Sequence, residues 1–310
     1  MQVEEEFARS SLNRDALVTI GVFDGVHLGH KALLSRLKEL AQKQNLMSVA
    51  VTFNQHPQEI LSPKAKALYL TDVAEKTELL KKEGVEAVVV LSFTRELANL
   101  SAREFVILLK KHLRMRGLVI GPDFTLGRHG EGNTDTLRAL GKEMDFSVTV
   151  IPPVTINGEV VSSTAIRNAL AKGDMAKARR LVGRPFSLHG LVVKGTGRGT
   201  GLGIPTANLE LNPGQALPAD GVYVTRTCVD GKVHQSVTNV GKNPTFGGGK
   251  RTAEVHILDY HDNLYGRELK VDFIQRLRDE KRFSSPEELK KQIAEDIKRG
   301  RAIFSAEAVT

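Results

Sequence analysis

Cysteine is almost absent from this sequence of 310 residues, which contains only Cys228. A chain with one cysteine forms no internal disulfide, so we expect a cytoplasmic protein in which Cys228 is a small core residue. Long apolar runs are absent too, and none approaches the roughly 20 residues of a membrane-spanning helix. The acidic segment 1–6 lacks the apolar centre of a signal peptide. These absences argue against a secreted or membrane-embedded protein.

A concentrated block of positive charge is also missing, although the formal net charge is +8. Residues 1–182 hold 25 Lys and Arg against 21 Asp and Glu, and residues 183–310 hold 19 against 15. Nucleic-acid-binding proteins usually gather their charge on one face or in one tail. The even division favours a protein that handles polyphosphates in both halves, and we expect no nucleic-acid or membrane partner.

What the sequence does contain is two contrasting patterns that meet near residue 183. The first half alternates apolar, strand-like runs with helical patterns, which predicts a Rossmann-like α/β domain over 1–182 with a mainly parallel sheet. The predicted strands are 16–23, 47–53, 87–93, 117–121 and 147–152, and the predicted helices are 31–43, 72–83, 101–116 and 135–143. Asp72-x-x-Glu75 and Ser101-x-x-Glu104 have the capping-box spacing of helix starts, and Gly84 and Gly117 stand where glycines that end helices are expected.

The second half brings strand-like runs close together without helices between them. This pattern predicts an antiparallel β-barrel over 183–310. Asp230-Gly231 between two strand patterns indicates a hairpin. Ser285, with Pro286 after it, predicts the start of one C-terminal helix.

One stretch organises the first half, and it runs from Gly21 to His30 as Gly-Val-Phe-Asp-Gly-Val-His-Leu-Gly-His. It joins the first predicted strand to a helix, and the start of a helix offers free backbone N–H groups that suit phosphate. His27 and His30 can each donate to a phosphate oxygen, and we expect either to gain charge near neutral pH. Gly29 allows a ligand to approach the backbone.

A second candidate phosphate site begins at Ser162-Ser163-Thr164, where a helical pattern starts. Hydroxyls, N-terminal amides and Arg167 would converge there. Two further segments follow predicted strands, Thr52-Phe53-Asn54-Gln55-His56-Pro57 and Gly121-Pro122-Asp123-Phe124. In parallel sheets, ligands gather at such carboxyl ends.

The second half has its own glycine-rich segment, 195–203, followed by Ile204-Pro205-Thr206-Ala207-Asn208. No helix follows it, which excludes a dinucleotide-binding fold. The backbone of such a loop can cradle phosphate. Thr206 and Asn208 lie on one face of an extended segment, and their neutral oxygens suit Mg²⁺. Turn hydrogen bonding is the alternative role for both.

Taken in order, these motifs resemble those of the bacterial bifunctional riboflavin kinase/FMN adenylyltransferase (FAD synthetase) family. The first half is similar through Gly-x-Phe-Asp-Gly-x-His-x-Gly-His and Ser-Ser-Thr-x-Ile-Arg. The second half is similar through Pro-Thr-Ala-Asn, Gly-Val-Tyr, Asn-x-Gly-x-x-Pro-Thr-Phe, Glu-x-His-Ile-Leu-Asp and Leu-Arg-x-Glu-x-x-Phe. Leu126 departs from the family pattern by replacing an aromatic residue, and Val160 stands where many relatives carry a basic one.

The resemblance implies that the second half makes FMN from riboflavin and ATP, and that the first half makes FAD from FMN and ATP, with Mg²⁺. It implies His27 and His30 as catalytic groups of adenylyl transfer and Glu254 as the base of the kinase. The implied ligands of ATP in the adenylyltransferase are Gly21, Phe23, Asp24, Gly25, Gly29, Ser163, Thr164 and Arg167, and those of its flavin are His56, Pro57, Asp123 and Phe124. The implied phosphate ligands of the kinase are Gly195, Gly197, Gly199, Thr206 and Asn208, the last two also holding the metal, while Arg278 lies near its flavin.

Three alternatives remain open at this point. The chain could be another nucleotidyltransferase fused to an unrelated β domain, or a flavin-responsive regulator that binds nucleic acid without turnover. One activity could also be lost, and the departures at Leu126 and Val160 make the adenylyltransferase the weaker half. The sequence leaves the oligomeric state open.

Overall fold

The structure is a computed structural model that describes residues 2–62, 68–195, 203–242 and 251–307. By the contacts among its residues, the chain divides into two compact units, Met1–Ser163 and Thr164–Thr310. The division near 183 that the sequence predicts therefore stays a prediction about domains. Within the described part of the chain, no helix is long and apolar enough to cross a membrane.

The first unit is built on a five-stranded sheet in the order β3-β2-β1-β4-β5. All four pairings in it are parallel. The strands are β1 (Ala16–Ile20), β2 (Met47–Phe53), β3 (Ala87–Leu91), β4 (Met115–Ile120) and β5 (Ser147–Val150). The order reverses between β1 and β4, and ligands of such sheets bind at the carboxyl ends beside that point. The predicted α/β class and parallel sheet are confirmed.

Helices complete the first unit, and two of them begin as their sequences predict. They are α1 (Gln2–Arg9), α2 (Leu28–Lys43), α3 (Pro57–Leu61), α4 (Val73–Lys82), α5 (Arg95–Asn99), α6 (Ala102–Leu113) and α7 (Thr134–Met144), and a short hairpin of β6 (Thr155–Ile156) and β7 (Glu159–Val160) follows. The Asp72 side chain accepts from the Glu75 N–H and caps α4. Ser101 and Glu104 form a capping box at the start of α6.

The predicted end of α6 at Gly117 is wrong. The helix stops at Leu113, because Arg114 takes a left-handed conformation with φ 48° and ψ 38°. Gly117 lies inside β4, where a Cβ would come within 2.7 Å of the Leu17 side chain on β1. The glycine is needed for close packing of neighbouring strands and not as a helix end.

The second unit is a closed antiparallel barrel in the order β10-β11-β12-β9-β8-β13. The strands are β8 (Phe186–Val193), β9 (Ala207–Leu211), β10 (Gly221–Val229), β11 (Lys232–Lys242), β12 (Arg251–Ile257) and β13 (Glu268–Arg278). Asp230 and Gly231 form the predicted hairpin turn, both with positive φ. Strand β9 was predicted only as an extended segment. Cys228 is partly exposed on β10, so its prediction as a core residue is wrong.

Three helices belong to the second unit. They are α8 (Ser163–Ala171), which starts at the division between the units, α9 (Met175–Val182) and α10 (Pro286–Glu307). Phe304 of α10 packs on Val222 and Val224 of β10. The Ala219 N–H donates to the Leu170 carbonyl at 2.9 Å, so the chain before the barrel packs against it.

Candidate active sites

The turn between β1 and α2 bends sharply through three residues with positive φ. Phe23, Gly25 and Val26 all have positive φ, at 51°, 81° and 37°. Phenylalanine and valine rarely adopt this region, and such strain clusters at functional sites. The Gly21 N–H still donates to the Val51 carbonyl at 3.0 Å, so the bend starts directly after the strand ladder.

Asp24 fastens this turn to the segment that precedes α4. Its Oδ1 accepts from the Leu70 N–H at 2.7 Å and the Thr71 N–H at 3.3 Å. The Gly25 N–H donates to the Thr71 hydroxyl at 3.1 Å. The carboxylate is buried and would repel a phosphate, so its hydrogen bonds indicate a structural role. Its predicted part in binding ATP stays a prediction.

His27 and His30 lie together at the start of α2. His27 is the N-cap, and its Nδ1 accepts from the His30 N–H at 3.3 Å. The two rings stack with centroids 3.6 Å apart, and the Phe23 ring lies edge-on to His30. Because His27 Nδ1 is an acceptor, its neutral ring carries the proton on Nε2 and can donate it to a ligand.

The expectation that either histidine charges near neutral pH is wrong for His30. Burial, followed by the charges of His27 and Lys76, holds the pKa of the His30 ring well below its ordinary value. The Nδ1 atom of His30 is buried and has no hydrogen-bond partner among the described residues. His30 is therefore an uncharged group at neutral pH before an anion arrives.

Ser163 is brought to the same turn. Its hydroxyl donates to the Asp24 carbonyl at 2.9 Å. A Cβ at Gly29 would lie 3.1 Å from the His27 ring and 3.3 Å from the Val161 carbonyl, so any side chain there would crowd both. Segment 161–163 therefore lies along the start of α2.

Thr164 and Arg167 follow in the first turns of α8. The Arg167 guanidinium donates to the Thr164 hydroxyl at 3.4 Å, so both present their polar groups at the helix start. The two residues lie in the second unit. Their binding of ATP stays a prediction.

The predicted flavin residues of the first unit have local structural roles. His56 is the N-cap of α3, with Nδ1 accepting from the Gln58 N–H, and Pro57 is the first helical residue. Asp123 is exposed, and Phe124 packs against the core. Their contacts with flavin stay predictions.

The two departures from the family pattern fall in different surroundings. Leu126 is buried in the core and pairs with Gly132 through two backbone hydrogen bonds. It contributes packing in place of a ring. Val160 is 48% exposed on β7.

Lys76 is a residue that sequence reasoning missed. It is 5% exposed, and its Nζ donates to the carbonyl of Phe53, the last residue of β2, at 2.7 Å. Burial lowers the pKa of its ammonium to about 8, and the nearby Asp24 carboxylate opposes that shift. The feature of the sequence that indicates burial of Lys76 is its position four residues before the buried Leu80, on the apolar stripe of α4.

In the barrel, register joins three residues from separate motifs. Glu254 on β12 lies opposite Asn208 on β9 and opposite Asn239 on β11. Directly opposite residues share one face, with Cβ atoms roughly 5 Å apart. Ala253 and Val255 point to the other, fully buried face. The predicted base and one predicted metal ligand are therefore neighbours, and Asn239 joins them.

Asn208 presents an unused acceptor in this row. The residue is 7% exposed, and its Oδ1 has no hydrogen-bond partner among the described residues. Gly195 lies directly over it, because a Cβ there would come within 2.5 Å of the Asn208 Cγ. Thr206 is half-buried just before β9. The predicted phosphate residues Gly197 and Gly199 lie outside the described residues.

Arg278 has a partner other than a flavin. Its guanidinium donates from Nε and Nη2 to the Asp296 carboxylate on α10, at 2.8 to 3.1 Å. It also lies 5.8 Å from the ring centroid of Phe283. The contacts tie the end of β13 to α10, and the flavin role stays a prediction.

Known protein families match both halves of the chain. The family model described as FAD synthetase matches residues 9–165, and the one described as riboflavin kinase matches residues 182–304. A Pseudomonas fluorescens protein named bifunctional riboflavin kinase/FMN adenylyltransferase is 40% identical, over 96% of this chain and 95% of its own. A Bacillus subtilis protein of the same name is 32% identical, over 98% and 95%.

A solved structure also matches the chain over nearly its full length. A Streptococcus pneumoniae protein whose title calls it a macrolide-efflux protein superposes with a TM-score of 0.88 at 34% identity, covering 97% of both chains. Its title differs from the names of the curated relatives, whereas the two family models agree with them in both halves. This chain belongs to the bifunctional riboflavin kinase/FMN adenylyltransferase family.

Proposed function

We propose that the chain is a bifunctional transferase that phosphorylates riboflavin to FMN and then adenylylates FMN to FAD, with ATP as the donor in both steps. The order of the two family matches carries the proposal. The FAD-synthetase match covers the His27 turn, and the riboflavin-kinase match covers the row of Asn208, Glu254 and Asn239. We place both reactions in the cytoplasm, on small molecules and without a nucleic-acid or membrane partner.

In the kinase half, Glu254 accepts the proton of the riboflavin 5′-hydroxyl. That oxygen then attacks the γ-phosphorus of ATP, the bond to the β-phosphate oxygen breaks, and FMN and ADP result. Asn239, opposite Glu254, is placed to orient the hydroxyl or the carboxylate. The row therefore holds the proposed base next to a residue that can orient the substrate hydroxyl.

The residues near Glu254 fit Mg²⁺. Mg²⁺ prefers oxygen ligands and is commonly held by a few protein oxygens together with substrate phosphates. The buried, unpartnered Oδ1 of Asn208 is such an oxygen, and the Thr206 hydroxyl is a second. Bound there, Mg²⁺ would neutralise charge on the transferred phosphoryl group.

In the adenylyltransferase half, a phosphate oxygen of FMN attacks the α-phosphorus of ATP, and pyrophosphate leaves. No covalent intermediate with the protein forms. The N–H groups at the start of α2 and the Nε2–H of His27 bind the polyphosphate. His30 is uncharged before binding, and the approach of the phosphates raises its pKa and favours the protonated ring. The adenylyltransferase site thus acts by positioning the two substrates and by balancing the negative charge of their phosphates.

Product analysis of the full chain tests the proposal. Riboflavin, ATP and Mg²⁺ should yield FMN and then FAD by chromatography. Glu254→Gln should lose FMN formation from riboflavin and keep FAD formation from supplied FMN. Absence of both products with the unaltered chain would reject the proposal.

Because His27 also caps α2, a variant that tests the adenylyltransferase should keep a capping side chain at this position. His27→Ala removes both the imidazole and the helix cap, which costs about 1 kcal/mol. His27→Asn keeps a capping side chain and removes only the imidazole. Both should abolish FAD formation and spare FMN formation. Equal loss of both activities in His27→Asn would contradict two separate sites.

A further inference from the structure

Lys76 is a buried cation that the steps above do not use. An ionised lysine is almost never buried without a partner, because removal from water is costly. Lys76 is nevertheless 5% exposed, and its Nζ donates to the Phe53 carbonyl. That carbonyl ends β2 and precedes Asn54-Gln55-His56, at the edge of the sheet where ligands bind.

Charged and titratable groups surround this ammonium from two sides. The Asp24 carboxylate in the β1–α2 turn stabilises it, and it in turn disfavours the charged ring of His30 on α2. His27 stacks on His30, and the buried Glu75 is its neighbour on α4. Lys76 therefore connects α4 and the end of β2 with both the turn and the histidines.

We propose that Lys76 is a positioning residue of adenylyl transfer, whose ammonium ties the end of β2 to the Asp24 turn. The inference rests on the proposed function. The hydrogen bond to Phe53 fixes where segment 54–57 leaves the sheet, and attraction to Asp24 holds the His27 turn beside it. Together with burial and the His27 ring, which are the larger causes, the same ammonium disfavours the charged form of His30.

This role predicts a pH dependence confined to FAD formation. Because the pKa of Lys76 is about 8, the free protein loses the ammonium as the pH rises through that value. The kcat/KM for ATP in FAD formation should fall there, whereas FMN formation should show no such limb. Lys76→Arg stays charged at all these pH values and should lack the alkaline fall.

Lys76→Met keeps the length of the side chain and removes its charge. It should lower kcat/KM for ATP in FAD formation by about 10- to 100-fold at pH 7, the range for loss of one charge-assisted hydrogen bond. FMN formation should be unchanged. Lys82→Met is the matched control, since Lys82 is exposed on the same helix and carries the same charge.

A measurement that does not depend on catalysis distinguishes failure of this inference from failure of the proposed function. In an NMR titration of the full chain without ATP, the pKa of His30 should move upward in Lys76→Met and stay in place in Lys82→Met. An unchanged His30 titration together with an unchanged pH profile, in a chain that still makes FAD, would overturn the role of Lys76. If Lys76→Met does not fold, titration of the Lys76 Nζ by NMR in the unaltered chain decides, and an ordinary pKa overturns it.

Discussion

The ion pair of Arg278 and Asp296 should be a large single contributor to the stability of the second unit. Asp296 is 1% exposed on α10, and Arg278 is largely buried at the end of β13. Removal of one partner from a buried pair leaves an uncompensated charge and costs about 3 to 5 kcal/mol. We therefore expect Arg278→Met to destabilise the second unit strongly.

A hydrogen bond that Asp296 keeps after the substitution sets the expected loss of stability. After the substitution, Asp296 still accepts from the Gln292 Nε2 at 3.1 Å, which places the loss near the lower end, at about 3 kcal/mol. In a unit of about 150 residues, each kcal/mol shifts the melting temperature by roughly 2 to 4 °C. The expected fall in melting temperature is therefore roughly 6 to 12 °C, measured by calorimetry on the full chain.

A double variant isolates the pair. Arg278→Met combined with Asp296→Leu removes both charges, and it should be less destabilised than Arg278→Met alone, because no buried charge is left. A loss below about 1 kcal/mol in Arg278→Met would refute the reasoning from burial.

The same variants test the predicted flavin role of Arg278. Asp296→Asn breaks the ion pair and keeps the guanidinium, whereas Arg278→Met removes the guanidinium. If Arg278 contacts the substrate, Arg278→Met should raise the KM for riboflavin or ATP well above that of Asp296→Asn. Equal KM values in the two variants would show that Arg278 acts only through α10.

Two further predictions concern the second unit. Gly195→Ala should lower kcat/KM for FMN formation about tenfold, because the added Cβ forces the Asn208 amide to rotate. Unchanged FMN formation would contradict the proposed role of Asn208 as a metal ligand. A fragment of residues 183–310 should be less stable than one of 164–310 by about 3 kcal/mol or more, because it lacks the buried face of α9. Equal denaturation midpoints for the two fragments would favour a domain boundary at 183.

Features set by neighbouring residues were predictable. The caps of α4 and α6 and the Asp230-Gly231 hairpin depend on contacts within a few residues, and all were confirmed. The end of α6 was not predictable in the same way. Gly117 fits a helix end locally, and only its packing between Leu17 on β1 and Ser147 on β5 shows why a glycine is needed there.

The barrel site shows what motifs alone leave out. The types of Asn208 and Glu254 indicated a metal ligand and a base, but their adjacency depends on the register of β9 against β12. Register is set by turn geometry and by the buried face of each strand, which a short run such as 207–211 does not reveal. The place of Asn239 in the same row follows from that register as well.

The charge state of the adenylyltransferase site was the least predictable property, because it depends on distant residues. A histidine in isolation titrates near neutral pH, but His30 is stacked on His27 and lies near an ammonium 46 positions away in the sequence. Burial, the His27 ring and the Lys76 ammonium all disfavour a charged His30 ring, whereas the Asp24 carboxylate favours the charged form of Lys76. If the polyphosphate of ATP binds at this turn, as we propose, its negative charge should raise the pKa of His30. We therefore expect the His30 ring to gain its proton only when the nucleotide binds.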